Sequence, residues 1–126
     1  MTLPNTELLM QTVLAPVAEV VGADSALRTN PDMTAAFPVA TVQPPIQTPL
    51  YMGAAWQLVF TVEVWAATQS EAATVFDRIR CELAALNLWH NGNTPLMYDK
   101  ITKKYRFGGY FEGRWNAVYN TLERSI

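Results

Sequence analysis

The chain has 126 residues, of which half are hydrophobic and 16% are charged, and its net charge is −2. This length and apolar content fit one folded domain and exclude an intrinsically disordered chain. No apolar run approaches the roughly 18 residues of a membrane-spanning helix, and residues 1–5, which have no basic residue and start no long apolar run, predict no signal peptide. We therefore expect a cytoplasmic protein without a membrane partner.

The sequence carries no pattern typical of catalysis. Cys81 and His90 are each the one residue of their type, which excludes a disulfide within the chain, a multi-cysteine metal site and a His-rich zinc site. Glycine-rich phosphate loops and GxSxG are missing, and the acidic residues are scattered singly. Cys81 falls inside a predicted helix with no acidic residue to orient His90, so a nucleophile pair is not expected. The sequence predicts no enzyme, no cofactor and no metal.

Charge is distributed unevenly along the chain. Residues 1–77 hold one base and seven acids, a net of −6, whereas residues 78–126 hold eight bases and four acids, a net of +4. Such polarity suits head-to-tail packing of identical subunits in a ring. Four bases form a run that faces a neighbouring subunit, DNA or only solvent: Lys100, Lys103, Lys104 and Arg106.

The first elements are a helix and a short strand. Apolar residues recur at helical spacing over 5–21, Asn5 is a good N-cap and Gly22 a good terminator, while Pro16 predicts a kink or an end near Ala15. Residues 23–36 are predicted to be a loop, and 37–42 a short strand.

A proline-rich segment follows at 43–55. Its three prolines and Gly53 predict irregular structure, either a mobile connector or an arm that docks on a neighbour. We favour the arm, because four large apolar residues would otherwise be exposed. The expected anchors are Ile46, Leu50, Tyr51 and Met52.

A strand and a helix form the clearest unit of the sequence. Residues 56–66 alternate as a half-buried strand does, with Trp56 to Val64 on its apolar face. Thr68 and Glu71 predict a capping box for a helix that runs to about Leu86. The back of this helix is rich in small residues, which indicates either an ordinary exposed face or a contact with another subunit. The residues proposed for that contact are Thr74, Cys81 and Ala85.

The remainder is predicted to be mainly β-structure. Residues 88–93 indicate a turn, 96–100 a short strand, and 103–111 and 113–123 two strands separated by a glycine bend. Aromatic residues interleave with the basic run, which is typical of a strand with buried rings and also of a nucleic-acid surface. The whole order predicts a single α+β domain over 1–126, an antiparallel sheet with helices packed on one face.

Three sequence blocks carry a family resemblance: FPVATVQ, AAWQLVFTVEVWA with its capped helix, and the ending RFGGYFEGRWNAVYNTLERSI. In this order they resemble the tail terminator proteins of long-tailed bacteriophages, of the lambda type. The likeness is strongest over 37–86. The ending is also similar to small tail-completion proteins encoded beside head–tail connectors.

The resemblance implies a structural protein of the virion tail that is assembled in the host cytoplasm. It implies an α+β protomer in a hexameric ring that ends tail tube polymerisation and joins the tail to the head. The implied partners are further copies of the chain, the major tail tube protein, a head–tail connector or neck protein, and DNA passing through the lumen. The alternatives are another neck or head-completion protein and, more weakly, a small-molecule-binding domain with a pocket formed by Trp56, Trp65, Trp89 and Trp115.

Overall fold

The computed structural model describes residues 4–28 and 37–123, where two helices pack on a sheet of eight strands. The helices are α1 (Thr6–Val21) and α2 (Gln69–Ala84). The strands are β1 (Ala26–Arg28), β2 (Val39–Val42), β3 (Ile46–Leu50), β4 (Ala55–Ala66), β5 (Trp89–Asn93), β6 (Met97–Asp99), β7 (Lys104–Asn116) and β8 (Thr121–Glu123). The predicted α+β class is confirmed.

Two long central strands organise the sheet. β4 and β7 pair antiparallel over their whole shared length, from Ala55 opposite Asn116 to Ala66 opposite Tyr105. β2 and β3 lie one after the other along the free side of β4, and β6, β5 and β8 lie along the free side of β7. β1 extends the sheet beyond β2, and this one pair is parallel. The sheet is therefore mixed, which corrects the expectation of a purely antiparallel one.

The helix termini are those that the sequence indicates. The Asn5 side chain accepts a hydrogen bond from the Leu8 amide at 3.2 Å, and Thr68 accepts one from the Glu71 amide at 3.1 Å. Gly22 ends α1 at a φ of 98°, which a residue with a Cβ adopts reluctantly. α1 continues past Pro16 to Val21, so that of the two expected effects of the proline the end near Ala15 does not occur. Buried residues on both sides of the proline hold it on the sheet: Leu9, Met10, Val13 and Val17.

The core lies between the two helices and one face of the sheet. Trp56, Leu58, Phe60, Val62 and Val64 of β4 are all buried there, as the alternating pattern predicts. The Phe76 ring of α2 packs against the rings of Phe107 and Phe111 on β7, at centroid distances of 5.2 and 5.7 Å. No helix of the described residues covers the opposite face of β4 and β7.

Four predictions about irregular segments are wrong. Residues 26–28 form β1, although 23–36 were expected to be a loop; 29–36 lie outside the described residues. Residues 46–50 pair with β4 as a strand, and Pro49 fits because β3 lies at an edge, where the missing amide costs no ladder bond. Residues 89–93 are β5 with a register shift at Gly92, not a turn. β7 runs straight through its glycines, and the break comes at 117–120.

Candidate interaction surfaces

The predicted basic run is divided by the fold into two parts. Lys104 lies over the Phe37 ring at 5.0 Å, and the Arg106 Nε lies 3.1 Å from a carboxylate oxygen of Glu63. These two bases are therefore part of the sheet's own packing. Lys100 and Lys103 are exposed in the turn between β6 and β7. Only this second pair remains available to a partner.

The turn that carries Lys100 and Lys103 is ordered by one carboxylate. Asp99 accepts hydrogen bonds from the Thr102 hydroxyl at 2.9 Å and from the Ile101 amide at 3.1 Å. The bond from Thr102, followed by that from the Ile101 amide, lowers the pKa of Asp99 below its ordinary value. Ile101 projects from the turn and is 81% exposed. We call residues 100–103 the hairpin tip.

The aromatic residues near the hairpin tip do not form a common stacking surface. Phe107 and Phe111 pack toward α2 in the core, while the Tyr98 and Tyr105 rings contact each other at 5.2 Å. Tyr110 lies at a β7 position of opposite parity and faces the other side of the sheet. This arrangement favours the packing interpretation of the interleaved aromatics over a nucleic-acid platform.

The expected docking arm is a β-hairpin, and its anchors have different positions. Ile46 and Leu50 lie on β3, paired opposite Val59 and Ala55. Tyr51 and Met52 lie in the turn that leads into β4, with φ values of 49° and 58°. Two consecutive residues with side chains thus occupy the left-handed region, which costs about 1–2 kcal/mol each. In this conformation both side chains are exposed, at 74% for Tyr51 and 92% for Met52.

A second exposed apolar turn, which the sequence analysis missed, lies beside the first. Val118 and Tyr119 follow the end of β7, and the Ala117 amide donates to the Ala54 carbonyl at 3.0 Å, which joins the two turns. The Asn116 side chain accepts from both the Val118 and the Tyr119 amides. The alternating pattern predicts one β-strand through 113–123, and for this reason the turn between Asn116 and Asn120 was not identified from the sequence.

We call Tyr51, Met52, Val118 and Tyr119 the apolar end of the molecule. Each is between 70% and 92% exposed. Together they offer on the order of 500 Å² of apolar surface, at the upper limit of what monomers expose without a function. A groove of about 490 Å³ lies between the two turns. It is lined by three residues of the apolar end, Tyr51, Val118 and Tyr119, and by Ala54, Ala55, Arg114, Asn116 and Glu123.

The back of α2, which is rich in small residues, is exposed. This position is compatible with an ordinary solvent-facing side of the helix and with a contact to another subunit. Thr74, Cys81 and Ala85 all lie on the accessible side. Cys81 also lines a groove of about 550 Å³ between α1 and α2, which we call the helix groove. The residues lining it are Glu19, Val20, Asp77, Arg78, Cys81 and Glu82.

The four tryptophans do not line one pocket. Trp56 lies opposite Trp115 on the helix-covered face, and both contribute to the core. Trp65 and Trp89 occupy register positions on the other face. Among residues 4–28 and 37–123 there is no group of three or more His, Cys, Asp or Glu side chains that could hold a metal ion. No helix in that part of the chain is long and apolar enough to span a membrane.

Comparison with known proteins gives a likeness of fold. No protein-family model matches the chain, and no curated protein matches it. A chain in the solved structure of the virion of a native gene transfer agent particle superposes with a TM-score of 0.57 and 17% sequence identity. The match covers 83% of this chain and 90% of that chain. The two chains therefore share one fold over nearly their full lengths.

Proposed function

We propose that this protein is a structural component of a phage-like virion. The observation that carries the proposal is the likeness of nearly the whole fold to a chain of a gene transfer agent virion. The candidate surfaces support a role in assembly, because the exposed features of the described residues are apolar and basic turns of the kind that bind other proteins. Within the virion we assign the protein to the tail, assembled in the host cytoplasm.

The specific role we propose is that of tail terminator. Several copies, six by the family resemblance, form a ring at the head-proximal end of the tail, stop polymerisation of the tail tube and join the tail to the head. The apolar end and the hairpin tip lie at opposite ends of β7, whose 13 residues span roughly 40 Å. Two separated contact surfaces on one subunit suit a protein that binds both its own copies and another virion protein.

We assign the apolar end to the contact with the tail tube protein. An apolar surface of this size approaches the ~800 Å² that each partner buries in a standard interface. DNA passing through the lumen would then meet other parts of the ring. A second candidate, a neck or head-completion protein, uses the same surfaces against a different partner, the connector ring.

The test is a polymerisation assay with purified tail tube protein. Added terminator is expected to cap growing tubes and to shorten them in electron micrographs, in proportion to its concentration. The double variant Met52→Ser/Tyr119→Ser should lose this capping, while the control pair Gln69→Ala/Ser70→Ala, which is exposed at the start of α2, should keep it. Unchanged tube lengths together with binding to isolated connector rings would replace the terminator role with the neck role. Binding to neither would reject the virion-joint proposal.

A further inference from the structure

We infer that the hairpin tip of one subunit docks in the helix groove of the next copy. This inference deepens the proposed function and rests on it, because it names the contact that would close the ring. It commits to one occupant of the helix groove, namely residues 100–103 of a second copy of this chain.

The hairpin tip has the form of a docking element. Ile101 is exposed at its apex, between Lys100 and Lys103. The bonds to Asp99 fix the turn before any partner arrives, so that less conformational freedom is lost on binding. An exposed apolar side chain on an ordered turn, flanked by two cations, predicts a partner surface that is apolar in the middle and acidic at the rim.

The helix groove has this complementary chemistry. Val20 contributes apolar surface between the helices, while Glu19 and Glu82 stand on the rim. Within the described residues neither glutamate has an ion-pair or hydrogen-bond partner. Asp77 is paired with Arg80 at 2.8 Å, and Arg78 adds one cation to the rim. Two unpaired carboxylates therefore face outward where two unpaired lysines are needed.

The hairpin tip cannot reach the helix groove of its own subunit. The tip lies at the end of the sheet where β4 leads into α2, since Ala66 pairs with Tyr105 just beside it. Cys81 lies in the last turns of α2, roughly 18 Å along the axis from Gln69 at 1.5 Å per residue. After α2 the chain reaches the end of β7 that lies opposite the hairpin tip, where Leu88 packs beside Gly113. The contact must therefore be made between copies.

A contact between two different surfaces is heterologous. It leaves one free tip and one free groove on every dimer, so that association continues until a ring closes. The predicted polarity of charge along the sequence has a partial counterpart here, because Glu19 comes from the acidic part and both lysines come from the basic part, to which Glu82 also belongs. Of the four bases predicted for a subunit interface, Lys100 and Lys103 carry this proposal.

The lone cysteine provides a direct test. The variant Ile101→Cys places a second thiol in the tip, and a disulfide forms only where the two Cα atoms come within about 4.4–6.8 Å. Under mild oxidation with copper phenanthroline, we expect covalent dimers, trimers and higher multimers on non-reducing gels, which collapse to monomer with dithiothreitol. The ladder supports the contact only if its bonds join Cys81 of one copy to residue 101 of another, which mass spectrometry of the disulfide-linked peptides identifies; bonds that join only like residues would overturn the inference.

Two matched variants control for random collision. Ile101→Cys in a Cys81→Ser background allows only symmetric dimers, and Met52→Cys puts an equally exposed thiol at the opposite end of β7. Both should stop at the dimer. A ladder from Met52→Cys that equals the ladder from Ile101→Cys would overturn the inference.

Charge reversal gives an independent measurement by native mass spectrometry. Lys100→Glu/Lys103→Glu should reduce the oligomer fraction at least tenfold at low salt, and Glu19→Lys/Glu82→Lys introduced into the same chain should restore it. Rings that persist in the first variant would show that the subunits join elsewhere, which overturns this contact and leaves the proposed function standing. A chain that is monomeric in every variant, yet caps tubes, also overturns the contact; a monomer that caps nothing rejects the proposed function as well.

Discussion

Gly108 on β7 lies directly opposite Glu63 on β4, and a methyl group on Gly108 would come within 2.8 Å of the Glu63 Cα. The Val62 carbonyl would be closer still. Both obstacles are backbone atoms of the strand that forms the centre of the sheet. The glycine in this position thus permits the close approach of the two longest strands, and it does not mark the bend that the sequence predicted there.

Gly108→Ala is therefore expected to destabilise the protein by about 1–3 kcal/mol, the usual cost of overpacking. Gly113→Ala is the matched control on the same strand. A Cβ there would meet the ends of the Leu88 and Leu122 side chains at 2.6 and 3.2 Å, and these can rotate away. Urea denaturation of both variants measures the two losses of unfolding free energy, and the loss for Gly108→Ala is expected to be the larger. A larger loss for Gly113→Ala would show that the neighbouring backbone, and not the side chains, accommodates the added methyl group.

Those elements whose pattern is local were predicted well from the sequence. Thr68 and Asn5 are polar caps whose partners lie three residues away, and the alternation from Trp56 to Val64 needs one buried face only. The 46–50 strand was missed because the three prolines of 43–55 argue against a strand in the centre of a sheet, whereas β3 holds only Pro49 and pairs on the β4 side alone. β5 was missed because its turn-forming residues Asn91 and Gly92 lie in the register shift between the paired residues His90 and Asn93 and do not end the strand.

The candidate surfaces were only partly predictable. Tyr51 and Met52 could be found because four apolar residues stand in one proline-rich segment. Val118 and Tyr119 are brought beside them by the β4–β7 register, which connects positions more than 60 residues apart and leaves no local signal. The basic run was read as one surface, yet its members alternate across strand and turn, so that Lys104 and Arg106 pack inside the sheet and only Lys100 and Lys103 do not.

The ion pair between Arg106 and Glu63 is expected to contribute to folding. Glu63 is only 15% exposed, so removing its cation leaves a carboxylate that is poorly solvated. Arg106→Ala should cost about 1–3 kcal/mol of unfolding free energy. In a Glu63→Gln background the same change should cost less, since no charge is stranded. Urea denaturation of the four proteins measures the difference. Equal costs in both backgrounds would attribute the loss to the contact of Arg106 with Trp65 instead.

The order of the hairpin tip is expected to depend on acid pH. The pKa of Asp99 is lowered in the folded chain, by the Thr102 hydroxyl first and then by the Ile101 amide. A group whose pKa is depressed stabilises the fold above its unfolded value of about 3.9, and this contribution is lost as the pH falls through the folded value. The Ile101 amide resonance in NMR should therefore shift with a midpoint below about pH 3.9.

The variant Thr102→Val tests the cause of that shift. It removes the largest contribution, so the midpoint observed at Ile101 should move up toward the ordinary pKa of an aspartate. Asp99→Ala should abolish the transition at this amide altogether. A midpoint that is the same in Thr102→Val and in the wild type would mean that the backbone amide alone stabilises the carboxylate.

Substitutions of Met52, in the strained turn at the apolar end, are expected to affect protein stability and tail tube binding differently. Met52 has a φ of 58° and a side chain that is 92% exposed, so its conformation costs energy and its side chain contributes little to the core. Met52→Gly should raise the unfolding free energy by up to about 1 kcal/mol, because glycine adopts this φ without the Cβ clash. Met52→Ala keeps the clash and should not be stabilised. Thermal denaturation compares the three proteins, and the capping assay is expected to lose activity equally in both variants, since both remove the same side chain from the surface. Normal capping by Met52→Gly together with a higher melting temperature would show that the Met52 side chain has no part in binding the tube.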